Sequence, residues 1–330
     1  MPSSLSLIQL VWDYLKGKRG QRRNVSESIL DGSNTRYPLI SYTNKRAVRG
    51  TLVLLHGVTA KASKDPNLVH LSRCIAAAGY RCLTPSLAGL ATFRHSASDI
   101  ETATMALRRA SEIADCPVGV LAFSYGASYA LCAAAQPAAR GCCRAILAFG
   151  AYYLLSEALE HQRRLLAENT DPTRDDSDLL YLRYTLLACH KPDLGLTEGA
   201  WRDIESALTH FMTSSSLDDK KRPLLRHARA LDYVDLMQRY QRRELPTILS
   251  PAGQLHDVPC PVALLHDPRD RFVPAHHIDR ICRDLDSRSG CAPTRTLKTP
   301  MLSHVRVDPV GNLRDAWQLI QLLKPVFGDA

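Results

Sequence analysis

One potentially reactive side chain stands where the character of the chain changes. Residues 118–135, VGVLAFSYGASYALCAAA, are continuously apolar up to Phe123 and become a ladder of small residues after Tyr125, with Ser124 at the joint. The apolar run follows Pro117 and carries Val118, Val120, Leu121 and Phe123, which reads as a buried strand of a parallel sheet. The segment after it has the composition of a helix and meets no breaker until Pro137. A strand that turns directly into a helix needs a sharp, strained joint, and bulky flanking side chains would clash there. Ala122 and Gly126 supply the small residues on either side. The hydroxyl would then stand above the carboxyl edge of the sheet, with a helix amino terminus behind it to favour developing negative charge. That is an arrangement for nucleophilic catalysis. The same residues also suit a serine that merely caps its helix, and the pentapeptide weighs the two readings equally.

Strands and helices alternate around this joint. YPLISYT, GTLVLLHG, YRCLTP, RAILAFGAYY, PVALLHD and TRTLKT read as strands. DPNLVHLSRCIAAAGY reads as a helix with Pro66 near its start and Gly79 as its stop. SDIETATMALRRASEIA reads as a helix opened by a capping box from Ser98 to Glu101, and a last helix surrounds Trp317. The alternation predicts an α/β fold, a doubly wound and mostly parallel sheet. From Leu154 to Asp257 no strand pattern is visible, and an insertion of that length exceeds any ordinary loop. Its charged runs, DPTRDDSD and DDKKRP, are expected to be solvated faces, and Trp201, Phe211, Tyr233 and Tyr240 to be the insertion's own core.

The Ser124 joint resembles the nucleophile elbow of the α/β-hydrolase family, small-x-Ser-x-small, with alanine in the first of the two glycine positions. The loop PRDRFVP after PVALLHD is similar to the family's acid loop, which aligns Asp270 ahead of Val273 and Pro274. The histidine in MLSHVRV, His304, matches the family's histidine before the last helix. Ser124, Asp270, His304 is the chain order of that family's triad. TLVLLHGV is similar to its His-Gly motif, which would make the backbone amides of Val58 and Tyr125 the oxyanion hole and His56 a structural residue. Asp267, at the end of the strand, remains a second acid and reads as a turn or cap.

The resemblance implies three parts: an amino-terminal segment over 1–35, a hydrolase core over 36–153 and 258–330, and a helical cap over 154–257, inserted after the sixth strand. It implies a serine hydrolase that cleaves a carboxylic ester through an acyl-enzyme, acting on a small-molecule acyl substrate with no cofactor and no metal. Thioesterase, acyltransferase and peptidase activities run on the same machinery. A non-catalytic binding protein of the same fold is the alternative from another class.

Composition narrows the rest. The chain has 330 residues, 45% of them hydrophobic, and no run of 18 apolar residues, so no transmembrane helix is expected. Ten cysteines without Cys-x-x-Cys spacing point to reduced thiols and a cytoplasmic protein. Of the net charge of +9, residues 1–50 hold +6, from nine Lys or Arg against three acids. The body is therefore not a nucleic-acid-binding surface. The excess lies in KGKRGQRR, just after LSLIQLVWDYL, in which Leu5, Ile8, Trp12 and Leu15 fall on one helical face. Residues 5–23 fit a peripheral membrane contact. The preferred reading is a helix docked on its own domain, or a mobile arm, because no lipidation motif reinforces an anchor.

Overall fold

The computed structural model describes residues 4–15, 25–30, 38–45, 48–171, 174–190, 197–199, 202, 206, 216, 218–219, 232–242, 245–290, 292–300, 302–303, 306–307 and 313–328. The chain divides into two compact units. One comprises Met1–Ala91, His95–Leu155 and Pro246–Ala330, and the other Thr92–Arg94 and Ser156–Leu245.

The first unit is built on eight strands: β1 (Val25–Ile29), β2 (Leu39–Asn44), β3 (Thr51–Leu55), β4 (Arg81–Pro85), β5 (Val118–Phe123), β6 (Cys143–Phe149), β7 (Val262–His266) and β8 (Arg295–Lys298). They lie in the order β1-β2-β4-β3-β5-β6-β7-β8. The six strands from β4 to β8 run parallel, with β1 and β2 antiparallel at one edge. Every residue of TLVLL in β3 and VALLH in β7 is buried, as befits strands covered on both faces. After β3 the chain crosses outward to β4, then returns past β3 to β5. Right-handed crossovers in opposite directions put their helices on opposite faces of the sheet, and a crevice opens at the carboxyl ends of β3 and β5.

Asp65 opens α2 (Pro66–Ala77) by accepting hydrogen bonds from the amides of Asn67 and Leu68, with Pro66 in the first turn. The next long helix, α4 (Ala97–Ala114), follows the short α3 (Ala88–Ala91) and starts two residues earlier than the sequence suggests. Its cap is Ser96, which is extended and accepts from Ser98 N–H at 3.3 Å. Ser98 and Ser96 are equally good cap residues by type. Asp99 lies in the first turn under either cap, and its buried carboxylate accepts 2.9 Å bonds from the amides of Gly89 and Leu90.

Two elements depart from the sequence reading near the amino terminus. β1, VSESI, pairs with β2 although four of its five residues are exposed. An edge strand need not show an apolar alternation, so it leaves no signal. Helix α1 (Ser4–Leu15) packs on α2 and on the helix Leu313–Leu323 through Leu7 and Leu10, which join the core cluster with Ile75, Ile320 and Leu323. The face expected to pack was another one: Ile8 is 43% and Trp12 50% exposed.

The carboxyl-terminal segment is fastened to the sheet. Arg144 at the start of β6 donates to the carbonyls of Val326 (2.7 Å), Pro325 and Pro117. Tyr80 Oη donates to Phe327 O at 3.2 Å. Thr299, just past β8, donates from its amide to His266 O and from its hydroxyl to Asp315 Oδ2 at 2.6 Å.

The second unit is helical over its described residues: most of α6 (Leu155–Glu168), then α7 (Ser177–Cys189) and the helix Tyr233–Gln241, which packs on α7. Tyr233 and Tyr240 are buried, while Trp201 and Phe211 lie outside the described residues, as does most of DDKKRP. DPTRDDSD is not a solvated face throughout. Asp175 is 1% exposed and accepts a 2.5 Å bond from Arg183 Nε, and Asp176 caps α7. Arg183 also donates to Asn169 O and lies 4.8 Å over the ring of Tyr233, so both buried charges are fully engaged.

Candidate active site

Ser124 occupies the joint between β5 and α5 (Tyr125–Ala135) with φ 53° and ψ −131°. A side chain rarely adopts that region, and holding it there costs on the order of 1–3 kcal/mol. The surroundings impose it: Ser124 N–H donates to Phe149 O at 2.7 Å, and Ser124 O accepts from Ala127 N–H at 2.8 Å. An ordinary helix-capping serine is extended and bonds an amide of its own first turn. Ser124 does neither, so the capping reading fails here.

The flanking small residues have separate reasons. A Cβ on Gly126 would sit 2.1 Å from His56 O, so α5 can reach the end of β3 only with glycine there. Ala122 sits inside β5, buried opposite Leu55 of β3 and Ala148 of β6. It does not share the positive φ of Ser124, so a methyl group is tolerated where the family pattern has glycine.

The loop after β3 lies against the serine. A Cβ on Gly57 would fall 2.9 Å from Ser124 Cβ and 3.5 Å from its Oγ. Its orientation is set by His56, which is 2% exposed. Leu87 N–H donates to Nε2 at 2.9 Å, which places the ring proton on Nδ1, 2.7 Å from Gly57 O. Burial drives the pKa of His56 down to about 4, against the smaller opposing effect of its bond to Gly57. A neutral, fixed imidazole therefore holds the carbonyl of the Gly57–Val58 peptide. In a planar trans peptide the N–H of Val58 must point the other way. The Tyr125 amide stands in the first turn of α5, next to the serine.

Asp270 follows β7. Its Oδ1 accepts from Phe272 N–H (2.8 Å) and Val273 N–H (3.1 Å). Its Oδ2 lies 3.7 Å from the point a Cβ of Gly150 would occupy, and Ser124 Cα lies 3.9 Å from the same point. The ends of β5, β6 and β7 thus bring the serine and this carboxylate to one place. Asp267 is turned elsewhere: buried at the strand end, it accepts from the amide and the guanidinium of Arg269, whose other nitrogen donates to Pro300 O. His304 lies outside the described residues. The chain positions flanking it, Ser303 and Arg306, pair antiparallel.

Sequence reasoning missed His95. Its ring stacks on Tyr125 at 4.9 Å and 18°, Nδ1 is 3.0 Å from Tyr129 Oη, and burial lowers its pKa to about 3. Tyr125 leans in turn on Tyr152, whose backbone N–H and C=O both bond Ser128 Oγ at 2.9 Å. These rings buttress the residue just after the serine. Nothing in the sequence around His95 signals that role.

Residues 52–307 match the model of the alpha/beta hydrolase family. No curated protein matches the sequence. Among solved structures, an esterase of Pyrococcus furiosus is similar at 12% identity and a TM-score of 0.55, over 92% of each chain. A membrane phospholipase A described as a bacterial virulence factor is similar at 15% identity and a TM-score of 0.50, over 97% of this chain and 92% of that one. At these identities the likeness is one of fold.

Proposed function

Because this chain belongs to the alpha/beta hydrolase family, we propose that it is a serine hydrolase acting on carboxylic esters, with Ser124 as nucleophile, His304 as base and Asp270 as the residue that orients the base. His304 takes the Ser124 proton as Oγ attacks the ester carbonyl, and Asp270 holds the imidazole in the tautomer that can accept it. The amides of Val58 and Tyr125 receive the oxyanion, each donor contributing about 3 kcal/mol. The leaving alcohol takes the proton back from His304, and water then releases the acid from Ser124 by the same steps. The observation that carries this reading is the backbone of Ser124: a strained φ of 53°, with the side chain held off the helix amides and against the Gly57 loop. Every described cysteine is a free thiol, which supports a reducing, cytoplasmic location.

The test is labelling by a fluorophosphonate probe together with turnover of a short activated ester. Wild type should label and turn over, and Ser124→Ala should do neither while melting at nearly the same temperature. Labelling retained in Ser124→Ala would remove Ser124 as nucleophile. A panel of esters, thioesters and peptides on the unlabelled wild type then ranks the acyl group.

A further inference from the structure

Asp99 is a buried carboxylate for which the proposed reaction has no use. Burial raises its pKa to about 6, against the lowering effect of its bonds to the amides of Gly89 and Leu90. At neutral pH it is therefore ionised, with Oδ1 on the Gly89 amide and Oδ2 on the Leu90 amide, both at 2.9 Å. These amides are the second and third of α3, the pair that a capping side chain ordinarily satisfies. Leu87, which precedes the helix, has no side-chain oxygen to offer them. Asp99 supplies from α4 the cap that the local sequence lacks.

The residue at that cap position has a second task. Leu87 N–H donates to His56 Nε2 at 2.9 Å, which leaves the ring proton on Nδ1, 2.7 Å from Gly57 O. Leu87 O accepts from Ala91 N–H at 2.9 Å, so Leu87 is fixed on one side by the turn that Asp99 holds. On the other side, Ser86 N–H donates to Pro38 O at 3.2 Å, and Ser86 Oγ meets Ser63 Oγ at 2.5 Å. Opening the first turn of α3 would move the Leu87 amide off the ring. His56 would then lose the bond that selects its tautomer, and Gly57 O the donor that holds it. We propose that Asp99 is a positioning residue of the active site, fixing the Gly57–Val58 peptide beside Ser124 through Leu87 and His56. Asp99 itself touches no substrate, and its part in turnover rests on the hydrolase reading of that peptide.

The His56 ring reports on this link directly. In the full chain carrying isotope-labelled histidine, the ring nitrogen signals absent from His56→Gln should show one tautomer, with the proton on Nδ1. Asp99→Asn keeps the volume but sets an amide NH2 against one of the two backbone amides, and the signals should move toward a mixture of tautomers. The same substitution should lower kcat about tenfold at little change in KM. It should weaken by a similar factor the binding of an alkylboronic acid, whose adduct on Ser124 carries a tetrahedral anion. These losses should not add to those of His56→Gln, because both act through one peptide. Asp99→Ser, smaller and with a single acceptor, is the second variant. If neither variant folds, Asp99 is a structural residue alone and the proposal falls. Unmoved ring signals, or additive losses, in an enzyme that labels with fluorophosphonate would overturn it as well. A wild type that neither labels nor binds the boronic acid would instead remove the hydrolase reading, and with it this role for Asp99.

Discussion

Ser124 in the first unit and Arg183 in the second are both held in circumstances a side chain avoids, but of opposite kinds. At Ser124 the unfavourable element is a backbone angle, and the side chain itself stays at the head of the crevice. At Arg183 the backbone is ordinary helix and the unfavourable element is a charge taken out of water, offset by Asp175, Asn169 O and the Tyr233 ring. Strain in the backbone sets the serine at the joint without engaging its side chain in the helix cap. Burial of the charge pair commits the guanidinium to Asp175 and Asn169 O. The first therefore points to function and the second to architecture.

Substitutions can break that contrast. The largest effect is expected at the proposed catalytic pair: Asp270→Asn should lower ester turnover by as much as ~10⁴-fold while the melting temperature holds, and Ser124→Ala by at least that much. Ser124→Gly adds a sharper test. It is equally inactive, but it removes the Cβ that makes φ 53° costly, so it should be about 1 kcal/mol more stable to urea than Ser124→Ala. If the two inactive variants unfold at the same urea concentration, the joint is not strained.

Next comes Arg183→Met, which strands a buried carboxylate and should lose about 3–5 kcal/mol of stability, whereas pairing it with Asp175→Leu should restore a large part. Fluorophosphonate labelling of folded Arg183→Met should persist. A variant that unfolds normally yet fails to label would put Arg183 on the functional side of the contrast.

His56 joins the two kinds, a buried ring whose only work is to aim a peptide. Its pKa falls from the ordinary 6.5 to about 4 on folding, so the unfolded chain binds the extra proton between those values. Stability is complete above about pH 6.5 and is lost as pH falls toward 4, by about 1–3 kcal/mol. His56→Gln, measured by urea unfolding across that window, should show a shallower acid slope and a reduced kcat at little change in KM. An unchanged slope would show that the ring is not neutral in the fold. The smallest effect is expected from Asp267→Asn, about 1 kcal/mol of stability with turnover kept, since its carboxylate serves the Arg269 turn. Lost turnover there, with Asp270→Asn active, would move the acid by one turn of the loop.

The elements of the sheet were legible because buried parallel strands are written as short apolar runs, and TLVLL or VALLH has no other plausible use. The elbow was legible because its second small residue is a steric necessity: a Cβ on Gly126 would fall 2.1 Å from the His56 carbonyl oxygen. Other features depended on partners distant in sequence. Periodicity shows that α1 has apolar faces but not which of them α2 will meet. Asp175 looks solvated in DPTRDDSD because charge is read locally, and its arginine lies eight residues on, on the far side of a helix start. His95 gives no sign at all, since a stack on Tyr125 is a property of the folded crevice alone.

The bond from Thr299 Oγ1 to Asp315 Oδ2 closes a loop, for its ends are sixteen residues apart and His304 lies between them in sequence. Thr299 is tied to β7 through His266 O, and the chain beyond Asp315 is strapped to the sheet through Val326 and Phe327. A bond between two ends of a segment offsets part of the entropy that any contact made by that segment would otherwise cost. If His304 is the base, as proposed, these bonds bear on turnover as well as on stability.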